Sequence, residues 1–172
     1  MPVMMMLRIT LLLLCSLLAP LQGRAQTVST SLQISGAVKT GLLLKVEDLQ
    51  AFPAAQISSL TVTRQLDGKA LSSSVRGVRL SAVLERAGLL SADRNDWKRM
   101  VVLASADDGY RVAFSWPELI NTEVGAGVLV IFERDGQALG DGEGRIALIS
   151  GRDLRSGPRH VKWLSRIEVR LL

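Results

Sequence analysis

Alternating apolar and polar residues predict β-strands along much of the chain. Residues 32–38 and 111–114 alternate in this way, which is typical of a strand with one buried face. The runs 42–46 and 128–132 are continuously apolar, as expected of buried strands. Further strands are predicted by β-favouring residues and turn signals at 60–63, 71–75, 100–103 and 146–149.

One segment has the spacing of a helix rather than that of a strand. Leu80, Val83, Leu84 and Ala87 follow each other at intervals of three, one and three residues, which places all four on one helix face. Gly88 follows directly and can end the helix as a C-cap, because glycine adopts the left-handed conformation without strain. This is the clearest helix that the sequence predicts.

Two further helices are expected to be short. Residues 47–52 could form one or two helical turns that stop before Pro53. Trp116, Pro117 and Glu118 favour a helix start, since proline is tolerated in the first turn and an early glutamate complements the helix dipole.

Four Asp-Gly dipeptides mark tight turns between these elements. This dipeptide favours the two-residue turn of a β-hairpin. Together with the strand pattern, the turns predict a β-rich α+β domain with a mixed sheet, about seven to nine strands and a few short helices. The dipeptides are Asp67-Gly68, Asp108-Gly109, Asp135-Gly136 and Asp141-Gly142.

The first 25 residues have the features of a secretory signal peptide. Arg8 provides the positive region, residues 9–19 the apolar region, and residues 23–25 a small-x-small cleavage site. We therefore expect a mature chain that begins near Gln26, forms a single domain over residues 26–172, and is periplasmic or secreted.

Two other interpretations of this segment fit its residues less well. A retained membrane anchor would need roughly 20 apolar residues, more than the run 9–19 supplies. Lipoprotein processing at Cys15 would need a small residue before the cysteine, and Leu14 stands there. Secretion of the cleaved product is the better prediction.

Charge and cysteine content narrow the possible chemistry. Without Arg8 and Arg24 the mature chain has 19 basic and 16 acidic residues, a net charge of +3. This mild excess would attract a phosphate or a sulfur oxyanion, but it is too small and dispersed to indicate a nucleic acid partner. Cys15 is the only cysteine, so residues 26–172 offer no disulfide, zinc-thiolate or iron-sulfur chemistry.

Residues 157–164 combine a Gly-Pro turn, three nitrogen-bearing side chains and an aromatic residue, a composition that suits an anion pocket. In an extended chain, His160 and Lys162 would share one face, and Arg159 and Trp163 the other. Other roles are open: the arginine and the lysine could be solvated strand-edge charges, the histidine structural, and the tryptophan part of the core.

Six short motifs resemble the sulfite oxidase-like molybdopterin-binding domain family, in the family's order and across residues 32–171. The resemblance implies that family's fold for nearly the whole mature chain. The motifs are residues 34–38, 77–80 with 84–88, 108–110, 135–139, 144–146 and 159–164.

The chain departs from this family at the metal ligand. The resemblance implies that catalytic members bind molybdenum through a cysteine thiolate in the region that matches residues 61–74, and no cysteine is present there. Hydroxyl side chains stand in that region instead. A hydroxyl stays protonated near neutral pH and is a poor ligand for a thiolate-preferring metal site. The hydroxyl residues are Thr61, Thr63, Ser72, Ser73 and Ser74.

The resemblance nevertheless implies a possible anion cradle. We predict Arg145, Arg159, His160 and Lys162 as binding residues that could hold a pterin phosphate or another anion by charge-assisted hydrogen bonds. No metal ligand is predicted, and the cofactor stays open, with molybdopterin as the candidate that the resemblance implies.

The sequence thus predicts an exported binding module for a pterin-like or other anionic ligand, or for a periplasmic or membrane protein partner. The enzyme alternative is a molybdopterin-dependent oxidoreductase in which a Ser or Thr of residues 61–74, or the pterin dithiolene alone, holds the metal. A third interpretation is a scaffold with an empty pocket.

Overall fold

The structure, a computed structural model, describes residues 29–172. The predicted signal peptide lies outside the described residues. The described part contains eleven strands, four short α-helices and three 3₁₀ turns. The strands are β1 (Leu32–Gly36), β2 (Leu42–Leu44), β3 (Ile57–Leu66), β4 (Lys69–Arg79), β5 (Met100–Ala106), β6 (Arg111–Ser115), β7 (Val128–Arg134), β8 (Gln137–Ala138), β9 (Ala147–Ser150), β10 (His160–Val161) and β11 (Leu164–Leu171). The helices are α1 (Val46–Gln50), α2 (Leu80–Ala87), α3 (Trp116–Asn121) and α4 (Glu123–Ala126), and the 3₁₀ turns are Ala54–Gln56, Asp96–Arg99 and Gly157–Arg159.

The first sheet has five strands in the order β2-β1-β11-β5-β6. Its strands β1 and β11 pair in parallel, with Ile34 opposite Ile167, and the other pairs are antiparallel. Alternate residues of β5 are buried, beginning with Met100 and Val102. One face of this sheet therefore lies on the core.

The second sheet has the order β10-β9-β7-β4-β3, with β8 paired to the end of β7. Although β7 and β4 separate β9 from β3, a Cβ atom at Gly151, just after β9, would lie 3.0 Å from Leu60 and 3.2 Å from Val62 of β3. The sheet must therefore curl. A second apolar cluster lies on this sheet and includes Val62, Val75 and Ile131.

The main core contains inward-facing residues of both sheets together with α1, α2 and α3. Helix α2 buries Leu80, Val83, Leu84 and Ala87, the four residues predicted to share its inner face. The N–H of Gly88 bonds to the carbonyls of the last turn, and its φ is 68°. The predicted helix and its glycine cap are confirmed.

The remaining local predictions are mostly confirmed. Helices begin near the expected residues 47 and 116, and Ser115 caps α3 by accepting a hydrogen bond from the N–H of Glu118 at 3.1 Å. Asp67 and Asp135 both have a φ of 50° and each precedes a glycine of positive φ, as a type I′ hairpin turn requires. The predicted count of seven to nine strands was too low, because two-residue strands such as β8 and β10 carry no periodic signal.

The prediction of an extended chain through residues 159–163 was wrong. Arg159 ends a 3₁₀ turn, strand β10 stops at Val161, and Trp163 has a left-handed φ of 48°. The N–H of Trp163 donates to the carbonyl of Glu143 at 2.8 Å, and its indole N–H donates to the carbonyl of Asp141 at 2.8 Å. These two bonds hold the backbone in a turn and end the alternation of faces.

The longest helix of residues 29–172 is α2 with eight residues, and none of the helices in this part of the chain could span a bilayer.

Candidate functional site

The segment that was predicted to bind an anion, residues 157–164, lies where the two sheets come close together. Strand β10 pairs with β9 of the second sheet, and β11 begins three residues later in the first sheet. The hydroxyl of Tyr110 donates to the carbonyl of Pro158 at 2.6 Å, which ties the 3₁₀ turn to the residue directly before β6. The segment is therefore fixed by both sheets.

Arg159 is enclosed by acidic and aromatic side chains. Its Nε atom donates to Oδ2 of Asp153 at 2.7 Å, and its Nη1 atom donates to Oε1 of Glu118 at 2.8 Å. The guanidinium carbon lies 4.8 Å from the centre of the Phe114 ring. Hydrogen bonding to Asp153 raises the pKa of Arg159, with a further contribution from Glu118, although partial burial acts in the opposite direction. Two carboxylates thus already balance this charge.

His160, adjacent in the chain, belongs to a different ionic cluster. Its Nε2 atom lies 2.7 Å from Oε1 of Glu143, and Arg134 donates to both oxygens of the same carboxylate at 2.6 and 3.0 Å. Arg134 also donates to the hydroxyl of Ser73 at 2.6 Å. Burial would raise the pKa of Glu143, but the hydrogen bonds from His160 and Arg134 outweigh it and lower that pKa to about 2. The carboxylate is therefore ionised at neutral pH and occupied by two donors.

Arg145 lines a separate cavity of about 410 Å³, together with Lys45 and Phe132. Its guanidinium forms an exposed ion pair with Asp141 at 2.9 Å and donates to the carbonyl of Leu139 at 3.3 Å. Neither Arg159, His160 nor Lys162 lines this cavity.

Lys162 is exposed, and its ammonium nitrogen lies 5.9 Å from the centre of the Trp163 ring. The structure therefore does not gather the four predicted cations around one cavity: Arg145, Arg159 and His160 each contact a carboxylate, and Lys162 faces solvent. Their role in binding a ligand stays a prediction.

The region predicted to lack the metal ligand, residues 61–74, belongs to the β3–β4 hairpin. Ten residue pairs join these strands without a register shift, and Thr63 lies opposite Ser72. The hydroxyl oxygens of these two residues are 2.8 Å apart, within hydrogen-bond distance. The hydroxyl of Ser73 accepts from Arg134, as described above. Within residues 29–172, no group of three or more His, Cys, Asp or Glu side chains is placed to hold a metal ion.

Three carboxylates that complete these clusters were missed by the sequence analysis. Glu118 was connected only with the helix dipole, and Glu143 and Asp153 were predicted to have no role in the site. Their partners lie 41, 17 and 6 residues away along the chain. No local pattern predicts such pairs, although an arginine or histidine beside a buried strand indicates that a counter-ion is needed.

Comparison with known proteins supports the expected fold. The family model described as oxidoreductase molybdopterin binding domain matches residues 21–171. The crystal structure of the sulfane dehydrogenase SoxCD from Paracoccus pantotrophus is similar, with a TM-score of 0.59 and 22% sequence identity over 81% of this chain. The match covers 37% of that chain, so this protein corresponds to little more than a third of its length. No curated protein matches the sequence. The predicted sulfite oxidase-like fold is confirmed.

Proposed function

This chain belongs to the oxidoreductase molybdopterin binding domain family, and from that premise we propose that it is an exported member that binds an anionic ligand and does not hold molybdenum through a protein thiolate. One observation carries the proposal. Where catalytic relatives are expected to place the thiolate, Thr63 and Ser72 face each other across a regular hairpin and bond to each other.

The donor atoms of this hairpin do not fit a thiolate-held metal. Residues 29–172 contain no cysteine, since the only one is Cys15. Neutral hydroxyls are poor ligands for a soft metal site, and Thr63 and Ser72 already satisfy each other. A metal would have to break that bond and gain little in exchange.

Two of the three nitrogen-bearing side chains of residues 157–164, Arg159 and His160, also do not fit the phosphate of such a cofactor while their ion pairs are formed. Arg159 is held by Asp153 and Glu118, and His160 by Glu143. A phosphate dianion brought to these groups would meet the same carboxylates at close range, and like charges repel. Ligand binding through this segment would require those ion pairs to open.

Two features of the sequence support export and an anionic ligand. Residues 1–25 carry the three regions of a signal peptide, and the chain that would remain has a net charge of +3. N-terminal sequencing of the protein secreted by its host should give a first residue near Gln26. A chain that keeps its first methionine in the mature protein would contradict export by this route.

Metal and pterin analysis tests the proposed function directly. The full chain should be produced in cells that make molybdopterin, alongside a molybdenum enzyme as positive control, and analysed by elemental mass spectrometry and by pterin fluorescence. We expect molybdenum far below one atom per chain. One atom per chain with bound pterin, or reduction of an oxo-substrate by the purified protein, would overturn the proposal.

A variant separates the enzyme alternative from incidental metal. If the hydroxyl of Thr63 or of Ser72 holds molybdenum, the double substitution T63V and S72A should abolish metal content, because it removes both of these oxygens. Under the proposal, the variant and the native protein should be equally low in molybdenum. The control is the double substitution S58A and S59A, which removes two hydroxyls from strand β3 before Thr63.

A further inference from the structure

The solvent-facing side of the first sheet carries a basic groove that the sequence analysis did not identify. The groove has a volume of about 370 Å³, and its lining includes Arg111, Arg166, Ser105 and Ser165. None of the predicted binding residues and none of residues 61–74 lines it. It is therefore distinct from the candidate site described above.

Strand register places the two arginines on one row of the sheet. Arg166 of β11 lies opposite Ser105 of β5, and Ser105 lies opposite Arg111 of β6. Residues in register on adjacent strands point to the same face, and the strands are about 4.8 Å apart. The backbones of the two arginines are thus roughly 10 Å apart, with only a serine between them. Two guanidinium groups that reach inward from this distance can contact one small anion from opposite sides.

A β-bulge adds a second hydroxyl to the floor of this groove. The register between β11 and β5 shifts between Leu164 and Arg166, so Ser165 is the extra residue of the bulge. Its hydroxyl lies 3.5 Å from the carbonyl of Ser105, and both serines are half-buried. The hydroxyl of Ser165 donates to that carbonyl, so the groove places the hydroxyl of Ser105 as the donor between two guanidinium groups, and both kinds of donor bind tetrahedral oxyanions.

The acidic residues nearby leave this row positively charged. Glu168 is engaged by Arg170 through two hydrogen bonds of 2.8 and 3.0 Å. Within residues 29–172, no carboxylate lies within the 4.0 Å limit of an ion pair with Arg111 or Arg166. Asp107 lies in the lining as an exposed turn residue.

The pKa of Glu168 is consistent with a positive charge in this part of the sheet. Its pKa is lowered chiefly by the hydrogen bonds from Arg170, while slight desolvation acts in the opposite direction, and the charges of Arg166 and Arg111 add to the lowering. Both arginines therefore act on the same part of the sheet surface.

We propose that the groove between Arg111 and Arg166 binds a tetrahedral oxyanion of the phosphate or sulfate type. Arginine presents a planar fork of donors that matches two oxygens of such an anion, and two forks with a hydroxyl floor would surround it. The oxyanion is either inorganic or the head of an organic ester, since the groove is open to solvent on the sheet surface. This inference rests on the proposed function, because it gives the anion-binding chain a site and a ligand class.

Calorimetric titration of the full chain with inorganic phosphate and with sulfate tests the proposal. Chloride at matched ionic strength is the control for screening. We expect saturable binding of one anion per chain. In the double variant R111Q and R166Q the affinity should fall about tenfold or more, because hydrogen bonds between charged groups are lost. The charge-matched control R64Q and R155Q removes two exposed arginines elsewhere and should bind as the native chain does.

Two results would overturn the assignment. One is the absence of saturable binding at low salt, and the other is an equal loss of affinity in the two double variants. If the first double variant fails to fold by circular dichroism, R166Q alone is compared with R64Q in the same way. Phenyl phosphate in a parallel titration distinguishes the two sources of the oxyanion: tighter binding than inorganic phosphate indicates an ester, and weaker binding an inorganic ion.

A negative result in this titration can be distinguished from a failure of the proposed function. A chain without oxyanion binding but also without molybdenum would contradict the groove and leave in place the proposal that no protein thiolate holds molybdenum. A chain that contains stoichiometric molybdenum would overturn the function whatever the titration shows.

Discussion

The imidazole Nε2 atom of His160 lies 2.7 Å from Oε1 of Glu143, and this contact joins strand β10 to the loop that precedes β9. Arg134 contacts the same oxygen at 2.6 Å. The only histidine of the chain is thus part of a cluster that also includes strand β7. A ligand could bind the Nε2 atom of this imidazole only by competing with an ionised carboxylate.

The Glu143 cluster should make stability depend on pH in the acid range. Its pKa is lowered from the ordinary 4.5 to about 2, so its contribution is fully present above pH 4.5 and is lost as the pH falls through about 2. We expect E143Q to lower the free energy of unfolding at pH 7 by about 2–3 kcal/mol and to have a smaller effect at pH 3. Urea unfolding at pH 7, 5 and 3 measures this.

The exposed Glu85 offers a matched control for that measurement. E85Q removes the same charge from a helix surface and should leave the free energy of unfolding within about 0.5 kcal/mol of the native value at each pH. A constant difference between E143Q and the native protein from pH 7 to pH 3 would contradict the assigned role of Glu143.

Arg159 should contribute more to stability than Arg145, although both were predicted as ligand contacts. The Arg159 side chain is 25% exposed, and its partners Asp153 and Glu118 are 13% and 29% exposed. R159Q would leave two partly buried carboxylates without their cation, at a cost of about 1–3 kcal/mol. R145Q breaks an ion pair whose members are 48% and 72% exposed, and should cost less than about 1 kcal/mol. Chemical unfolding of the two variants checks the order, and equal losses would contradict it.

The glycine that opens the Gly-Val-Arg-Leu motif should be intolerant of any side chain. A Cβ atom at Gly77 would overlap the carbonyl oxygen of Val130 on the neighbouring strand β7, and that backbone atom cannot move aside without breaking the sheet. G77A should therefore lower the free energy of unfolding by about 2–3 kcal/mol or prevent folding.

Gly140 provides the comparison. It has no atom within 4 Å of a built Cβ and no left-handed φ, so G140A should change the free energy of unfolding by less than about 0.5 kcal/mol. Thermal and urea unfolding of the two alanine variants would decide the matter. If G77A unfolds at the same midpoint as G140A, the close approach of Gly77 to strand β7 does not contribute to the free energy of unfolding.

Local signals in the sequence predicted the elements whose formation depends on neighbouring residues. The inner face of α2 could be predicted because its period is set by Leu80, Val83 and Leu84, which are close in the chain. The turns at Asp67 and Asp135 could be predicted because Asp-Gly is suited to two positive φ values in succession.

The parts that were missed depend on long-range contacts. The left-handed backbone of Trp163 results from bonds to residues 141 and 143, and the ion pair of Arg159 with Glu118 spans 41 residues. Local sequence patterns therefore predicted the cations but not the carboxylates that contact them. For this reason the cations looked more available to an anionic ligand than they are in the structure. In contrast, the period-two pattern of Arg166, Glu168 and Arg170 in strand β11 was present in the sequence and could have indicated a charged sheet face.

The parallel pairing of β1 with β11 has a consequence for the order in which the first sheet forms. Strand β11 lies between β1 and β5 in the first sheet, yet it follows both of them in the chain. Until β11 has been made, β1 and β5 have no strand to join them, so the first sheet cannot close while residues 29–163 are being synthesised. Closing this sheet is therefore expected to be a late step of folding, because the pairing of β1 with β11 joins residues that lie far apart in the chain.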